Sequence, residues 1–599
     1  MVDMWRRVLP YLRRYKGRLA FGFTALVLCR VFYLIVPQVL ERAVDALEAG
    51  ATSEMWTYGG FIVAAAGGSA VFRYFMRWYL IGVSRFAEYD LRRDFYLHLQ
   101  RLPAAFYARF RVGDILSRGA QDMNAVRMVL GPGLMYPVET VFTTVGCFAF
   151  MLAISPRLTL VALAVMPVVS ILMKILGEKI FRRSEVVQAK MADISAVVQE
   201  NAAAARLVRA FVQEDAQRKV FGKENEAYAA RSMELVAVSA ALFPLLLALI
   251  GMGLAGSLVL GGRMVIGGAI SLGELVAFLF YYGYLTWPMI AIGWVVNIHQ
   301  RGAASMKRLA VIFDAEPLPA PPAVPEPAYA DRPAAGIEFR DVRFAYPSAA
   351  QNGAANSNGA EPRPVLSDFN LRIEPGQTVA FVGRTGSGKS TVARLIPRIY
   401  DAQEGSIRID GRDVREIPLH ELRSDIGFVP QDSFLFSMTL RDNLAFGDDD
   451  APMDEVHRVA EEAGLAGDIE EFADGYDTMV GERGITLSGG QRQRAAIARA
   501  LLLDSRILVF DDVLSAVDSE TESRILGAVR RASRDRTTVI VAHRLSTVKD
   551  ADVIYLLDAD ETGATRVVES GTHDDLVAAG GLYAGMYRRQ MLEEELSRL

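Results

Sequence analysis

The chain has 599 residues and only two cysteines, Cys29 and Cys147. Both sit inside apolar runs, so neither a disulfide framework nor a cysteine metal site is available. An excess of basic charge is also lacking. The formal net charge is −5, which gives no reason to expect nucleic acid as a partner. The opening stretch MVDMWRRVLPYLRRYKGR carries no small-residue cleavage site. It is basic and amphipathic, and reads as a helix lying on the inner membrane surface rather than a cleaved signal peptide. Apolar sequence is plentiful: 51% of residues are hydrophobic and mean hydropathy is +0.20. The apolar residues concentrate before residue 300, and charged residues and glycine motifs dominate afterwards. Such a length suggests three or four structural units.

A helix needs about 20 mostly apolar residues to span a bilayer. Six segments qualify, roughly Leu19–Leu40, Trp56–Leu80, Leu130–Ile154, Leu158–Leu176, Ala241–Leu260 and Leu272–Val296. Pro156 leaves only a very short connection between the third and fourth. The connections 81–128 and 177–238 are long, helical in spacing and rich in Arg and Lys, for example Arg85, Arg92, Arg93 and Arg101. The other loops hold isolated cations, Arg42, Arg157 and Arg263. The positive-inside bias therefore predicts a multi-pass protein of the plasma (inner) membrane with both termini and both long connections cytoplasmic. The lipid bilayer is the first partner implied.

Charge inside a span is costly, so Arg30, Arg73, Arg77 and Glu139 call for a reason. Arg73 and Arg77, four apart, share a helix face. Either they snorkel to the headgroups, or they join Glu139 around a water-accessible cavity where substrate could sit. The spacing leaves both open.

The proline-rich stretch 314–335 reads as a connector between a membrane domain, 1–313, and a soluble domain, 336–599. A second low-complexity stretch, PSAAQNGAANSNGAEPRP, interrupts two strand-like segments as an exposed insertion.

In the soluble half, GRTGSGKST (Gly383, Arg384, Thr385, Gly386, Ser387, Gly388, Lys389, Ser390, Thr391) follows the strand TVAFV and opens a helix. This is the P-loop pattern in its required strand–loop–helix context. The glycines let backbone N–H groups turn inward around phosphate oxygens, and the helix N-terminus adds its dipole. Lys389 would reach the β- and γ-phosphates of ATP, and Ser390 would ligate Mg²⁺. The apolar strand RILVF delivers Asp511 as a second magnesium anchor. Between them, LSGGQRQR presents Ser488, Gly489, Gly490 and Gln491 at another anion-binding helix start. Two phosphate-binding helix ends on one chain make sense in a dimer, where the second faces ATP held by the partner.

These ordered motifs resemble the nucleotide-binding domain of ATP-binding cassette (ABC) transporters, and the whole chain resembles an ABC exporter half-transporter. The resemblance implies a six-helix, all-α membrane domain followed by an α/β P-loop domain with antiparallel β and helical subdomains. It implies that Gln431 is the glutamine-loop residue and magnesium contact, LSGGQ the signature, 515–518 the D-loop and His543 the switch histidine. It further implies that Tyr346 stacks on adenine and that Glu482 touches the membrane helices. Short coupling helices are expected near Phe106–Gly113 and Phe211–Gln217.

One position departs from the family. Its catalytic glutamate directly follows the Walker B aspartate, where this chain has Asp512. The carboxylate retreats by roughly 1–1.5 Å, and misplacement on that scale costs about a hundredfold in rate. An intact signature beside Asp512 resembles the degenerate subunit of heterodimeric multidrug-resistance-like and Tmr-type exporters of drugs, lipids or peptides. A second half-transporter carrying a catalytic Glu is then the implied partner. A slow homodimeric exporter and an ATP-binding regulatory or channel subunit are the alternatives. The complete signature and His543 disfavour the last, and the spans exclude a soluble ATPase acting on nucleic acid.

Overall fold

The computed structural model describes residues 1–318, 334–346, 363–481, 484–513, 519–560 and 563–598. Most of the proline-rich connector, the insertion after Tyr346, Glu482 and the D-loop lie outside the described residues. The chain forms two compact units: Met1–Leu99 with Gly113–Asp314, and Gln100–Val112 with Ala315–Leu599.

The first unit is entirely helical. In hydrocarbon the backbone must satisfy its own hydrogen bonds, which a helix alone does within one segment. A short α1 (Val2–Arg13) precedes α2 (Lys16–Glu48) and α3 (Met55–Arg101). The segment α4 (Ala104–Arg109) belongs to the second unit. Next come α5 (Val112–Ser117), a π-turn over Arg118–Asp122, α6 (Met123–Leu130) and α7 (Pro132–Ile154). They are followed by α8 (Pro156–Ala203), α9 (Ala205–Ala210), α10 (Glu214–Ile266), α11 (Leu272–Tyr284) and α12 (Thr286–Phe313). Among the described residues, five helical stretches are long and apolar enough to cross a membrane. Part of α8, which carries the fourth expected span, has side chains outside the described set. At 53 residues α10 is about 80 Å long, well beyond a hydrocarbon core of about 30 Å. The basic connections are therefore helical extensions of the spans and not loops.

Polar contacts pin these helices at their ends. Buried Asp90 on α3 accepts hydrogen bonds from Arg14 at 3.2 Å and the Tyr15 hydroxyl at 3.0 Å, after α1 has buried Met4, Val8 and Leu12. Arg308 on α12 holds buried Asp122 in the π-turn. Asp45 on α2 accepts from the Ser271 hydroxyl at 3.1 Å and the Gly273 N–H at 2.9 Å, at a helix start already closed by the Ser271–Glu274 capping box. The short helix expected near Phe211–Gln217 is not formed there: α9 ends at Ala210 and the chain turns directly into α10. Val212 turns left-handed with φ 52°, and α10 starts at Glu214.

The second unit is built on a ten-stranded sheet in the order β5-β4-β1-β2-β10-β9-β3-β8-β7-β6. The strands are β1 (Ile337–Phe344), β2 (Leu366–Ile373), β3 (Thr378–Val382), β4 (Glu404–Ile409), β5 (Arg412–Asp413), β6 (Ile426–Val429), β7 (Ile507–Asp511), β8 (Thr537–Val541), β9 (Val553–Ala559) and β10 (Thr565–Gly571). Neighbours from β9 through β3, β8 and β7 to β6 are parallel, while β1, β2, β4 and β5 form an antiparallel wing. All five residues of β7 are buried, as a central parallel strand covered on both faces requires. The helices are α13 (Lys389–Leu395), α14 (Leu419–Ser424), α15 (Leu440–Leu444), α16 (Met453–Glu462), α17 (Ala466–Glu470), α18 (Gly489–Leu502), α19 (Ser519–Ala532), α20 (His573–Ala579) and α21 (Leu582–Arg598). A mostly helical core around Val456, Val459, Ile497 and Leu501 is separate from the sheet core around Phe339, Val379 and Val539. Residues 100–112 also belong here: the Arg101 carbonyl accepts from the Leu318 N–H at 3.2 Å, and Phe106 of α4 stacks on Phe110.

A Cβ at Gly273 would stand 2.2 Å from the Glu41 carbonyl oxygen and 2.5 Å from Asp45 Oδ1. Gly273→Ala is thus expected to push α11 off α2, costing about 1–3 kcal/mol. It should lower both folded yield and Tm in detergent. An unchanged Tm would show that the close approach does not hold the two helices.

Candidate nucleotide site

The parallel strands converge on one edge, and their C-terminal ends carry the chemistry. β3 ends at Val382, and the chain then turns through the P-loop into α13. A Cβ at Gly388 (φ +80°) would come within 2.1 Å of Thr565 Oγ1, so only glycine fits. At Gly386 the same addition meets nothing within 4 Å, which leaves open space on the loop where a phosphate can approach. Lys389, 4% exposed, extends under the loop and donates to the carbonyls of Gly383 at 2.9 Å and Arg384 at 2.8 Å. Burial pushes the Lys389 ammonium below the ordinary lysine value, and Asp512 and Asp511 pull it partly back. Ser390 follows on the first turn of α13. Tyr346 reaches this helix, its hydroxyl 3.0 Å from Thr391 Oγ1 and its ring edge-on to Phe344 and Tyr400.

Two strands away, β7 ends in Asp511, which is fully buried. Among the described residues, neither of its carboxylate oxygens has a hydrogen-bond partner. Arg394 Nε lies 3.3 Å from Oδ2 but is not aligned to donate. A buried carboxylate left in this state suits a bound cation. The next residue, Asp512, sits left-handed at φ 53°, a conformation Asp tolerates better than most residues. Its Oδ2 accepts from Gln431 Nε2 at 3.0 Å and lies 3.7 Å from His543 Nε2. Gln431, Asp512 and His543 therefore meet at one point although 112 positions separate the first from the last.

The signature starts α18. Ser488 and Gln491 close a capping box, and Gln491 also donates to Asp468 at 3.1 Å. Among the described residues, no hydrogen bond or ion pair joins 488–491 to the P-loop. In the membrane unit, Arg73, Arg77 and Glu139 line one cavity of about 310 Å³, together with Arg30.

Sequence reading missed three partners. Gln590 braces the switch segment by donating to the His543 carbonyl at 2.8 Å and accepting from the Leu545 N–H at 2.8 Å. Arg394 approaches Asp511. Arg30 pairs with Glu139. Only Arg30 gave a signal, as a charge inside a span.

Family profiles match both parts of the chain: the ABC transporter transmembrane region over residues 19–289 and the ABC transporter domain over residues 366–515. The chain is 34% identical over 600 residues to a probable multidrug resistance ABC transporter ATP-binding/permease protein of Bacillus subtilis, covering 99% of this chain and 98% of that one. The chain belongs to the ABC transporter family. It is also 35% identical to a multidrug resistance-like ATP-binding protein of Escherichia coli, covering 98% of this chain and 95% of the relative. To an ATP-dependent lipid A-core flippase of Aromatoleum aromaticum it is 34% identical, covering 99% and 97%. A solved bacterial Atm1-family ABC exporter with ATP bound superposes with a TM-score of 0.75 at 29% identity, covering 96% of this chain and 98% of that one. The transporter is thus a half-transporter, one helical membrane domain followed by one α/β ATP-binding domain. It is an ABC-type ATPase whose hydrolysis is coupled to transport.

Lys389→Ala should weaken ATP binding at least about tenfold while leaving Tm within a degree or two, because the lysine bonds only its own loop. Its depressed pKa adds a pH signature. The charged form disappears at lower pH than for a free lysine, so ATP affinity should fall in the alkaline range before pH 10.5. Titration of a fluorescent ATP analogue between about pH 7 and 10 tests this. A flat affinity across that range would contradict it.

Proposed function

We propose that this chain is one half of a heterodimeric exporter of amphipathic drugs, lipids or peptides, with its own ATP site slowed by Asp512. The observation that carries the reading is the pairing of an intact LSGGQ with an aspartate directly after Asp511. A chain whose signature is complete can finish an ATP site on another subunit even when its own base is short. The relatives support export of such compounds, being named for multidrug resistance and for lipid A-core flipping. The basic helical extensions support an orientation in which the ATP-binding domain and both termini are cytoplasmic, at the plasma membrane.

In this reading the P-loop N–H groups and Lys389 hold the ATP phosphates, Tyr346 stacks on adenine, and Ser390, Gln431 and Asp511 hold Mg²⁺. The ion, when bound, neutralises charge that develops on the β- and γ-phosphate oxygens. Asp512 would accept the proton of the attacking water, and His543 would stabilise the γ-phosphate. Ser488, Gly489, Gly490 and Gln491 act on the partner's nucleotide, consistent with their lack of bonds to the P-loop of their own chain. Before water can be engaged, Gln431 must release the Asp512 carboxylate that it now caps. A homodimer is the second reading. It is favoured by that same carboxylate, which lies between Gln431 and His543 as a working base would.

The two readings separate on purified protein. The chain alone should show little ATPase, and co-expression with a partner bearing a glutamate should restore it. In the complex, Ser488→Arg should abolish fast hydrolysis, whereas Asp512→Ala should cost less than about tenfold because that site is already slow. Robust turnover by the chain alone, or equal losses from the two substitutions, would decide for the homodimer.

A further inference from the structure

The membrane unit carries a charge imbalance that the ATPase does not use. Arg30, Arg73, Arg77 and Glu139 line the cavity of about 310 Å³ between α2, α3, α7 and the α11–α12 corner. Glu139 is consumed by Arg30: the two form an ion pair, and their side chains are 11% and 7% exposed. Arg73 and Arg77 make no ion pair among the described residues, so the cavity is left with two uncompensated cations. Other donors face the same space. Arg30 Nε and Thr140 Oγ1 are buried without a hydrogen-bond partner, and Thr140 lines the cavity. Buried donors of this kind are costly unless something accepts from them.

A second cavity, of about 530 Å³, shares Arg73, Arg77, Tyr33 and Tyr284 with the first. Its remaining wall includes Val36, Ala66 and Ala70, so the arginines stand where a polar pocket opens into an apolar one. Depth follows from the helical rise of 1.5 Å per residue. Arg30 lies about 27 Å along α2 from Glu48, Arg73 and Arg77 about 27 and 33 Å along α3 from Met55, and Glu139 about 22 Å along α7 from Ile154. Against a hydrocarbon core of about 30 Å, Arg30, Arg73 and Glu139 fall in the half remote from those helix ends and Arg77 at its far boundary. With the orientation proposed above, on which this step rests, it is the inner-leaflet half.

We infer that this pair of cavities binds an amphiphile with an anionic head group, its phosphate or carboxylate held by Arg73 and Arg77 and its alkyl chain in the neighbouring apolar cavity. Two arginine forks give an oxyanion charge-assisted, bidentate hydrogen bonds, and Thr140 offers one more donor. Glu139 does not repel the ligand, because Arg30 neutralises it. A cationic drug gains nothing from this arrangement.

The test is equilibrium binding, without ATP, to the full transporter in phosphatidylcholine nanodiscs. Dodecyl phosphate is compared with dodecanol and with inorganic phosphate. The wild type should bind dodecyl phosphate at least about tenfold more tightly than either. The variant R73Q/R77Q should lose that preference, R73K/R77K should recover part of it, and Tm should stay at the wild-type level. Three results would overturn the inference: equal binding of dodecanol by the wild type, displacement by inorganic phosphate at the same concentration as dodecyl phosphate, or losses in R73Q/R77Q that are uniform and follow a lower Tm. Export is measured separately, as ATP-dependent movement of labelled dodecyl phosphate in vesicles. Absent movement with retained binding would reject the transport reading and leave the site standing.

Discussion

Charge that the surrounding protein leaves incompletely compensated is the constraint on which both halves of this transporter depend. In the ATP-binding domain, the four apolar residues of β7 sit in a central parallel strand, and that placement carries Asp511 to a point water does not reach. Among the described residues its carboxylate has no hydrogen bond, and the nearest cation is misaligned. The P-loop on β3 and α13 supplies the matching half, a buried lysine whose ammonium is itself destabilised by its surroundings. Burial disfavours the ammonium, and the neighbouring Asp512 and Asp511 offset part of that cost.

Around that centre the fold adds restraint. Gln431 comes from the segment after β6, Asp512 from the end of β7 and His543 from the end of β8, so the parallel order of three strands sets their meeting point. Gln590, from the last helix, holds the His543 segment by two backbone contacts. The Asp512 carboxylate is therefore positioned by the ends of several strands at once. The Gln431 amide caps the Asp512 carboxylate within this arrangement.

The membrane unit follows the same logic with a different outcome. Arg30 and Glu139 compensate one another, an arrangement that survives in hydrocarbon because both partners are desolvated together and neither is left alone. Arg73 and Arg77 are not compensated, and they occur where a polar cavity meets an apolar one. In each unit, the incompletely compensated charges gather where the surface opens, at the P-loop in one and between two cavities in the other.

Much of this was legible in the sequence because local patterns carried it. Apolar runs of about 20 residues named the spans, and their basic flanks named the helical extensions. Strand–GRTGSGKST–helix named the P-loop. These are contiguous features, decided by hydrophobic burial and backbone geometry over a few residues. Tertiary structure alone decided which distant groups share an environment. Nothing in the sequence told that Glu139 answers Arg30 and thereby frees Arg73 and Arg77, since the three helices involved are linked only by packing. Nor could it tell that Gln431 caps Asp512, or that Gln590 braces His543. Contacts of that kind depend on strand order and helix packing, which sum many weak, non-local interactions, whereas motifs are written in neighbouring residues.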